Sequence, residues 1–266
     1  MISFPLYRQG LRSCYKIILL VMAALTLYVT VIVAMFDPKL GSALDLLTKA
    51  MPQLMAMVGM TAAGGTLAGF MASYLYGFVI PIFPMVASIL ISGRLVARLV
   101  DRGSMAYLLA APRTRGCVVR TQLCVLLTSI LVLIAFATVL GLGASAAMFP
   151  GALDVPRFLL LNLGALCLHL CLGSICFFFS CLFDETRLSY AFAAGIPVAM
   201  FVLQMVANMG GQTKFLRYFS LFTLFDPRSI VAGEAFAMGG ILALFVVSAV
   251  VYAASILVFD QRDLAL

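Results

Sequence analysis

Ile17-Ile18-Leu19-Leu20-Val21-Met22-Ala23-Ala24-Leu25-Thr26-Leu27-Tyr28-Val29-Thr30-Val31-Ile32-Val33-Ala34-Met35-Phe36 contains no charged side chain, and its only polar groups are threonine hydroxyls and one phenol. About 20 such residues are what an α-helix needs to cross a hydrocarbon core roughly 30 Å thick. The run is continuously apolar, whereas a strand of a membrane barrel alternates apolar and polar side chains over about ten residues. The stretch is typical of the whole chain. Of 266 residues, 64% are hydrophobic and 10% charged, and the mean hydropathy is +1.16. A soluble domain is closer to an even mixture. Lipid is therefore the solvent that this composition suits, and the length leaves room for several spans but no sizeable soluble domain.

On the N-terminal side of this run, Phe4, Tyr7, Leu11 and Cys14 interleave with Arg8, Arg12 and Lys16. At helical spacing the two sets fall on opposite faces, which predicts an interfacial helix over residues 1–16 lying on the cytoplasmic leaflet. The apolar run is too long for a typical signal-peptide core, and no small-residue cleavage site with suitable flanks follows it, so the segment reads as a retained anchor.

On the C-terminal side, residues 41–65 mix polar and apolar character and read as an external helix and loop, or as a re-entrant dip at Met51 to Met60. Further spans are expected at 67–93, 117–149, 158–183, 188–209 and 236–259, making six with 17–36. The whole chain, 1–266, then forms one all-α polytopic membrane domain. Pro81 and Pro84 should kink the second span where neighbouring helices compensate the lost hydrogen bonds. Residues 94–116 form a charged connection between the second and third spans.

Lys and Arg accumulate in cytoplasmic loops near span ends, which orients the map independently. With the N-terminus inside, the cytoplasmic segments hold Arg8, Arg12, Lys16, Arg94, Arg98, Arg102, Arg113, Arg115, Arg120, Arg187 and Arg262. The outside keeps Lys39, Lys49, Arg157, Lys214, Arg217 and Arg228. Both termini are then cytoplasmic, in a multi-pass protein of the plasma membrane. This asymmetry accounts for the net charge of +7, and with no basic soluble domain nucleic acid is not an expected partner.

All seven cysteines fall within expected spans or at their cytoplasmic ends, which argues against a disulfide framework. The run from Cys167 to Cys181 with His169 invites a metal reading. Zinc ligands more usually pair at close spacing in loops or on polar faces, and free cysteine is a common small apolar residue in buried helices, so packing is the expectation. No Gly-x-x-x-x-Gly-Lys-Ser/Thr loop is present to cradle phosphates, so no cofactor is expected on this chain. Neither a His-Glu-x-x-His helix nor a Gly-x-Ser-x-Gly elbow occurs, so no catalytic residues are assigned. None of the expected spans carries a charged residue near its centre, which argues against a proton-driven antiporter, although backbone carbonyls remain able to bind sodium.

The segment between the second and third spans carries the most information. It reads Arg94-Leu-Val-Ala-Arg-Leu-Val-Asp-Arg-Gly-Ser-Met-Ala-Tyr-Leu-Leu-Ala-Ala-Pro-Arg-Thr-Arg115. Ser104 can cap a short helix, Met105, Leu108 and Leu109 give it an apolar face, and Pro112 ends it. Asp101-Arg102-Gly103-Ser104-Met105, Leu108-Leu109-Ala110-Ala111-Pro112 and Thr114-Arg115 resemble the corresponding stretch of the type 2 ABC transporter permeases. The resemblance extends in outline over the whole chain, including Tyr218 to Pro227 and the tail Phe259-Asp260-Gln261-Arg262-Asp263. Ala106 stands where the family often has Glu, and Asp101 with Arg102 replaces a more acidic pair.

What the resemblance implies is a coupling helix seated in a groove of a separate cytoplasmic ABC ATPase. Asp101, Gly103, Ser104 and Pro112 belong to the shared pattern. Tyr107, Leu108 and Leu109 would anchor the helix, and Arg113 or Arg115 would pair with acidic groups on the ATPase. ATP and Mg would sit on that partner, and a second permease chain, identical or related, would complete the pathway. A plain interfacial segment touching lipid phosphates is the alternative. For a substrate route, the fourth span presents Asn162, His169, Cys176 and Ser180 on roughly one face near Gly173, and the fifth presents Gln204 and Asn208. Helix packing explains the same stripes, since small and polar residues let membrane helices approach and hydrogen-bond. The expected cargo is a hydrophobic drug or peptide moved outward. An ATP-independent transporter or channel, and a membrane scaffold or immunity protein, are the competing classes.

Overall fold

The computed structural model describes residues 2–36, 50–57, 66–101 and 115–261. Among them there is no strand, and six helices are long and apolar enough to cross a membrane. The first is α1 (Phe4–Ala34). A short α2 (Pro52–Met57) follows, then a second span built from α3 (Leu67–Tyr74), a π-helical turn (Leu75–Val79), α4 (Ile80–Leu95) and α5 (Ala97–Asp101). The remaining spans are α6 (Arg115–Met148), α7 (Val155–Leu182), α8 (Thr186–Asn208) and α10 (Ala235–Gln261), with a short α9 (Pro227–Ala232) ahead of the last. The chain is an all-α polytopic membrane protein. Most of the expected coupling segment, residues 102–114, lies outside the described residues, as do 37–49 and 58–65.

Residues 4–16 and the first span form one uninterrupted helix, with no break between Lys16 and Ile17. Pro5 suits its first turn, where the missing N–H has no helical partner in any case. Hydropathy changes at Ile17 but backbone hydrogen bonding does not, so α1 continues for 31 residues, about 46 Å at 1.5 Å each, and overshoots a 30 Å core by roughly ten residues. Arg8, Arg12 and Lys16 are exposed as the spacing requires. Leu6, Gly10, Cys14, Ile17, Val21, Leu25, Val29 and Val33 form a single buried stripe.

That stripe packs along α6, the two helices running side by side in the same direction. Ser3 N donates to Thr121 Oγ1 at 3.0 Å, Tyr7 and Thr128 share a hydroxyl hydrogen bond of 2.9 Å, and Phe36 meets Phe149 edge-on at 5.3 Å at the other end. Gly10 marks the closest approach, since a Cβ there would lie 2.8 Å from Val125 Cγ2. Small residues at such crossings let backbones approach in a lipid environment.

The helix α7 is the hub, touching α3, α4, α6, α8, α9 and α10. Burial separates the roles of the spans: in the most apolar windows of the second and fourth, 67% of residues are buried, against 28% for the first and sixth and 17% for the fifth. The helix α8 therefore leaves most of its apolar surface exposed, while α7 is enclosed by protein.

Candidate functional site

Polar side chains inside a bundle must find partners, because lipid offers none. Pro84 has no N–H, so the Ile80 carbonyl four residues earlier loses its helical donor. His169 of α7 supplies the replacement, with Nε2 at 2.9 Å from the Ile80 oxygen. Pro197 inside α8 likewise withdraws the donor for the Ala193 carbonyl, and the Cys176 thiol donates to that oxygen at 3.3 Å. Ser180 and Ser189 are paired at 3.3 Å one turn further along the same seam. Asn162 accepts a 2.7 Å bond from the Tyr76 hydroxyl and returns its amide to the Phe158 carbonyl at 2.8 Å. Asn162 and His169, which the sequence offers either to helix packing or to a substrate route, are both buried and hydrogen-bonded to neighbouring helices.

Gln204 and Asn208 are placed differently. Gln204 Nε2 donates to Asn208 Oδ1 at 3.1 Å, and Thr223 Oγ1 lies 2.6 Å from Gln204 Oε1. This amide pair lines a cavity of about 390 Å³ at the end of the bundle opposite Ser3. Its walls come from the second span (Ala72, Tyr76, Gly77, Pro81), from α8 (Phe201, Met205) and from the chain between α8 and α10. That connection folds back as two 3₁₀ turns, Gly211–Phe219 and Leu221–Leu224, held over the bundle by Ser220 Oγ donating to the Met200 carbonyl at 2.9 Å. Arg217, Asp226 and Arg228 add charge to the lining.

The π-helical turn Leu75–Val79 shapes the floor. Such turns are rare and often mark functional positions. Here the turn lies directly before Pro81, whose ring has no donor to offer the Tyr76 or Gly77 carbonyl, and both residues line the cavity. Tyr76 joins the two polar regions, because it belongs to the cavity lining while its hydroxyl bonds Asn162 in the packed interior.

The opposite end of the bundle holds the flanks of the 102–114 segment. Asp101, the last residue of α5, accepts a 2.8 Å hydrogen bond on Oδ2 from Thr186, the first residue of α8. Where the chain re-enters as α6, Gly116 packs against the Asp260 carboxylate near the end of α10: a Cβ on Gly116 would stand 3.1 Å from Oδ2 and 3.2 Å from Oδ1. Arg94 adds a bond from Nη1 to the Ser13 carbonyl at 3.0 Å. The entrance of the segment therefore touches the fifth span and its exit touches the sixth. Of the expected coupling residues, Asp101 and Arg115 are among those described, whereas Gly103, Ser104, Tyr107, Leu108, Leu109, Pro112 and Arg113 lie outside them. No group of three or more metal-ligating side chains occurs among the described residues.

Sequence reasoning found the polar stripes but not their partners. It missed Tyr76 and Thr186, named Asp260 only as part of the C-terminal tail, and treated Arg217 and Arg228 only as topology markers. The prolines were the available signal, since each one predicts an orphaned carbonyl four residues earlier.

Six membrane-length helices, a packed polar hub and a cavity between the second and fifth spans define a polytopic helical membrane protein. The family model described as ABC-2 family transporter protein matches residues 7–264. With nearly the whole chain matched, the protein belongs to the ABC-2 family of transporter proteins. Such permeases are the membrane subunits of ABC transporters and work with an ABC ATPase that is a different subunit. No curated protein shows significant similarity to the chain.

Proposed function

We propose that this chain is the membrane-spanning permease subunit of an ATP-driven exporter, energised by a separate cytoplasmic ABC ATPase that holds ATP and Mg. The family match over residues 7–264 carries the reading. Residues 94–116 serve as the coupling segment, with Tyr107, Leu108 and Leu109 packed in a groove of the ATPase and Arg113 or Arg115 facing its acidic groups. The Thr186–Asp101 bond and the Asp260–Gly116 approach support this role, because movement of the segment would be passed to the fifth and sixth spans at its two ends. A second permease chain, identical or related, completes the pathway. Both termini and the coupling segment face the cytoplasm of the plasma membrane, and the cavity opens outside. The cargo is a hydrophobic or amphipathic drug or peptide that leaves by way of Gln204 and Asn208, with Asn162 and His169 fixing the helices behind them.

The test replaces Leu108 and Leu109 together by Glu. The expected result is a chain that inserts at normal levels but no longer stimulates ATP hydrolysis by its partner in reconstituted vesicles. Undiminished permease-dependent hydrolysis in that variant rejects the coupling role.

A further inference from the structure

The cavity is lined by two arginines, the amide pair and several aromatic side chains. The Asp226 carboxylate caps α9, Oδ1 accepting the Arg228 backbone N–H at 3.1 Å and Oδ2 the Ser229 hydroxyl at 2.9 Å, so the lining sets two guanidinium groups against one carboxylate. Among the described residues neither the Arg217 nor the Arg228 guanidinium forms an ion pair, in contrast to Arg157, which lies 3.1 Å from Asp154. Guanidinium groups match oxyanions such as carboxylate and phosphate, which they bind through two parallel hydrogen bonds. A cavity of about 390 Å³ with a mixed polar and apolar lining is at the small end of the range that holds organic ligands.

The cavity also borders an aromatic and basic collar. In the 3₁₀ turn Gly211–Phe219, Phe215 is 58%, Tyr218 85% and Phe219 65% exposed, next to Lys214 and Arg217. Exposed aromatics interleaved with cations characterise segments at the level of lipid head groups. Below this collar, Val198 and Val202 extend the apolar path down the lipid-facing side of α8. The order of chemistry from rim to bilayer is therefore cation, aromatic wall, aliphatic surface.

We infer that the cavity takes a membrane amphiphile with a phosphate-type anionic head and an apolar tail, the head held by Arg217 and Arg228 and the tail laid along Phe201, Met205 and the outer side of α8. The cavity is too small for a whole two-chain lipid, so it takes the head and the start of one chain while the rest remains among the lipids. As a statement about cargo this rests on the transport reading above, but as a statement about binding it stands on the cavity alone.

The chain contains no tryptophan, so Phe201→Trp places a single reporter in the cavity wall. The full chain carrying it is reconstituted with phosphatidylglycerol, or with a galactosyldiacylglycerol that has no phosphate, each brominated on the acyl chain, and quenching is followed against lipid fraction. The expected result is half-maximal quenching by phosphatidylglycerol at a fraction at least about tenfold lower than by the galactolipid, as charge-assisted hydrogen bonds to the phosphate require. Combining Arg217→Gln with Arg228→Gln abolishes that preference, whereas Arg157→Gln, which removes a cation already paired elsewhere, preserves it. Equal quenching by the two lipids, or a preference that survives the double substitution, overturns the proposal. Loss of the preference on adding millimolar inorganic phosphate also overturns it, because the site would then belong to the free ion. The ATPase is absent from this titration. Failure here removes the amphiphile and leaves coupling standing, while a chain that binds phosphatidylglycerol without recruiting an ATPase keeps the site and loses the transport reading.

Discussion

His169 was the one histidine to explain, and its partner turns out to be a carbonyl that a proline released 89 residues away in sequence. The stripe Asn162, His169, Cys176, Ser180 was legible as a polar face of the fourth span, but the groups that satisfy it belong to other helices, which no local spacing reveals. Pro84→Ala restores an N–H to Ile80, so the two residues should be coupled. His169→Leu is expected to destabilise the protein by about 1 kcal/mol, within the 0.6–2 kcal/mol range for membrane hydrogen bonds, and by markedly less in the Pro84→Ala background. Thermal unfolding of the four proteins in detergent measures this, and additive losses would show that the bond contributes nothing. Tyr76→Phe leaves Asn162 Oδ1 without its donor and is expected to cost a similar amount.

Among elements, the sequence made span lengths clear and their ends less so. A stretch of 20 apolar residues identifies a crossing, yet the helix around it stops where capping or a proline stops it, not where hydropathy changes. This is why α1 begins at Phe4, with Pro5 in its first turn, and not at Ile17 where hydropathy changes. The fit of α1 to α6 depends on Gly10. Gly10→Leu forces the helices apart against Val125 and is expected to cost about 1–3 kcal/mol, read as a lowered unfolding temperature. A second element-scale expectation concerns the flanks of the coupling segment. Thr186→Val removes the donor to Asp101, and Gly116→Val displaces the Asp260 carboxylate; both lie on the surface of the bundle end, so the chain should still fold and recruit its ATPase. Permease-stimulated hydrolysis is expected to fall severalfold in each variant. Wild-type stimulation in both would mean that the spans do not move with the segment.

For the whole molecule, composition alone required an all-helical bundle, because only closed hydrogen bonding survives in lipid and the apolar runs are too long for strands. The resemblance carried by Asp101 to Arg115 pointed to the family that the match over residues 7–264 shows. What the sequence did not disclose is the assembly of the cavity. Its walls come from α2, the second span, α8, a connection bent into two 3₁₀ turns, α9 and the start of α10, and only tertiary folding brings Tyr76, Gln204 and Arg217 to one place. Identifying α7 as the hub was likewise beyond hydropathy, since every span is apolar and burial by protein or by lipid selects similar residues.

The central claim is that this permease works through a separate ATPase docked on the segment 94–116, and co-purification tests it most directly. The tagged chain is extracted from its native membranes in mild detergent and everything retained is identified and counted. The account predicts a Walker-motif ATPase without membrane spans, in equal amount to the chain, and its loss when Tyr107 to Pro112 is replaced by a Gly-Ser stretch. Repeated recovery of this chain without an ATPase, under conditions that keep other ABC complexes intact, would contradict it.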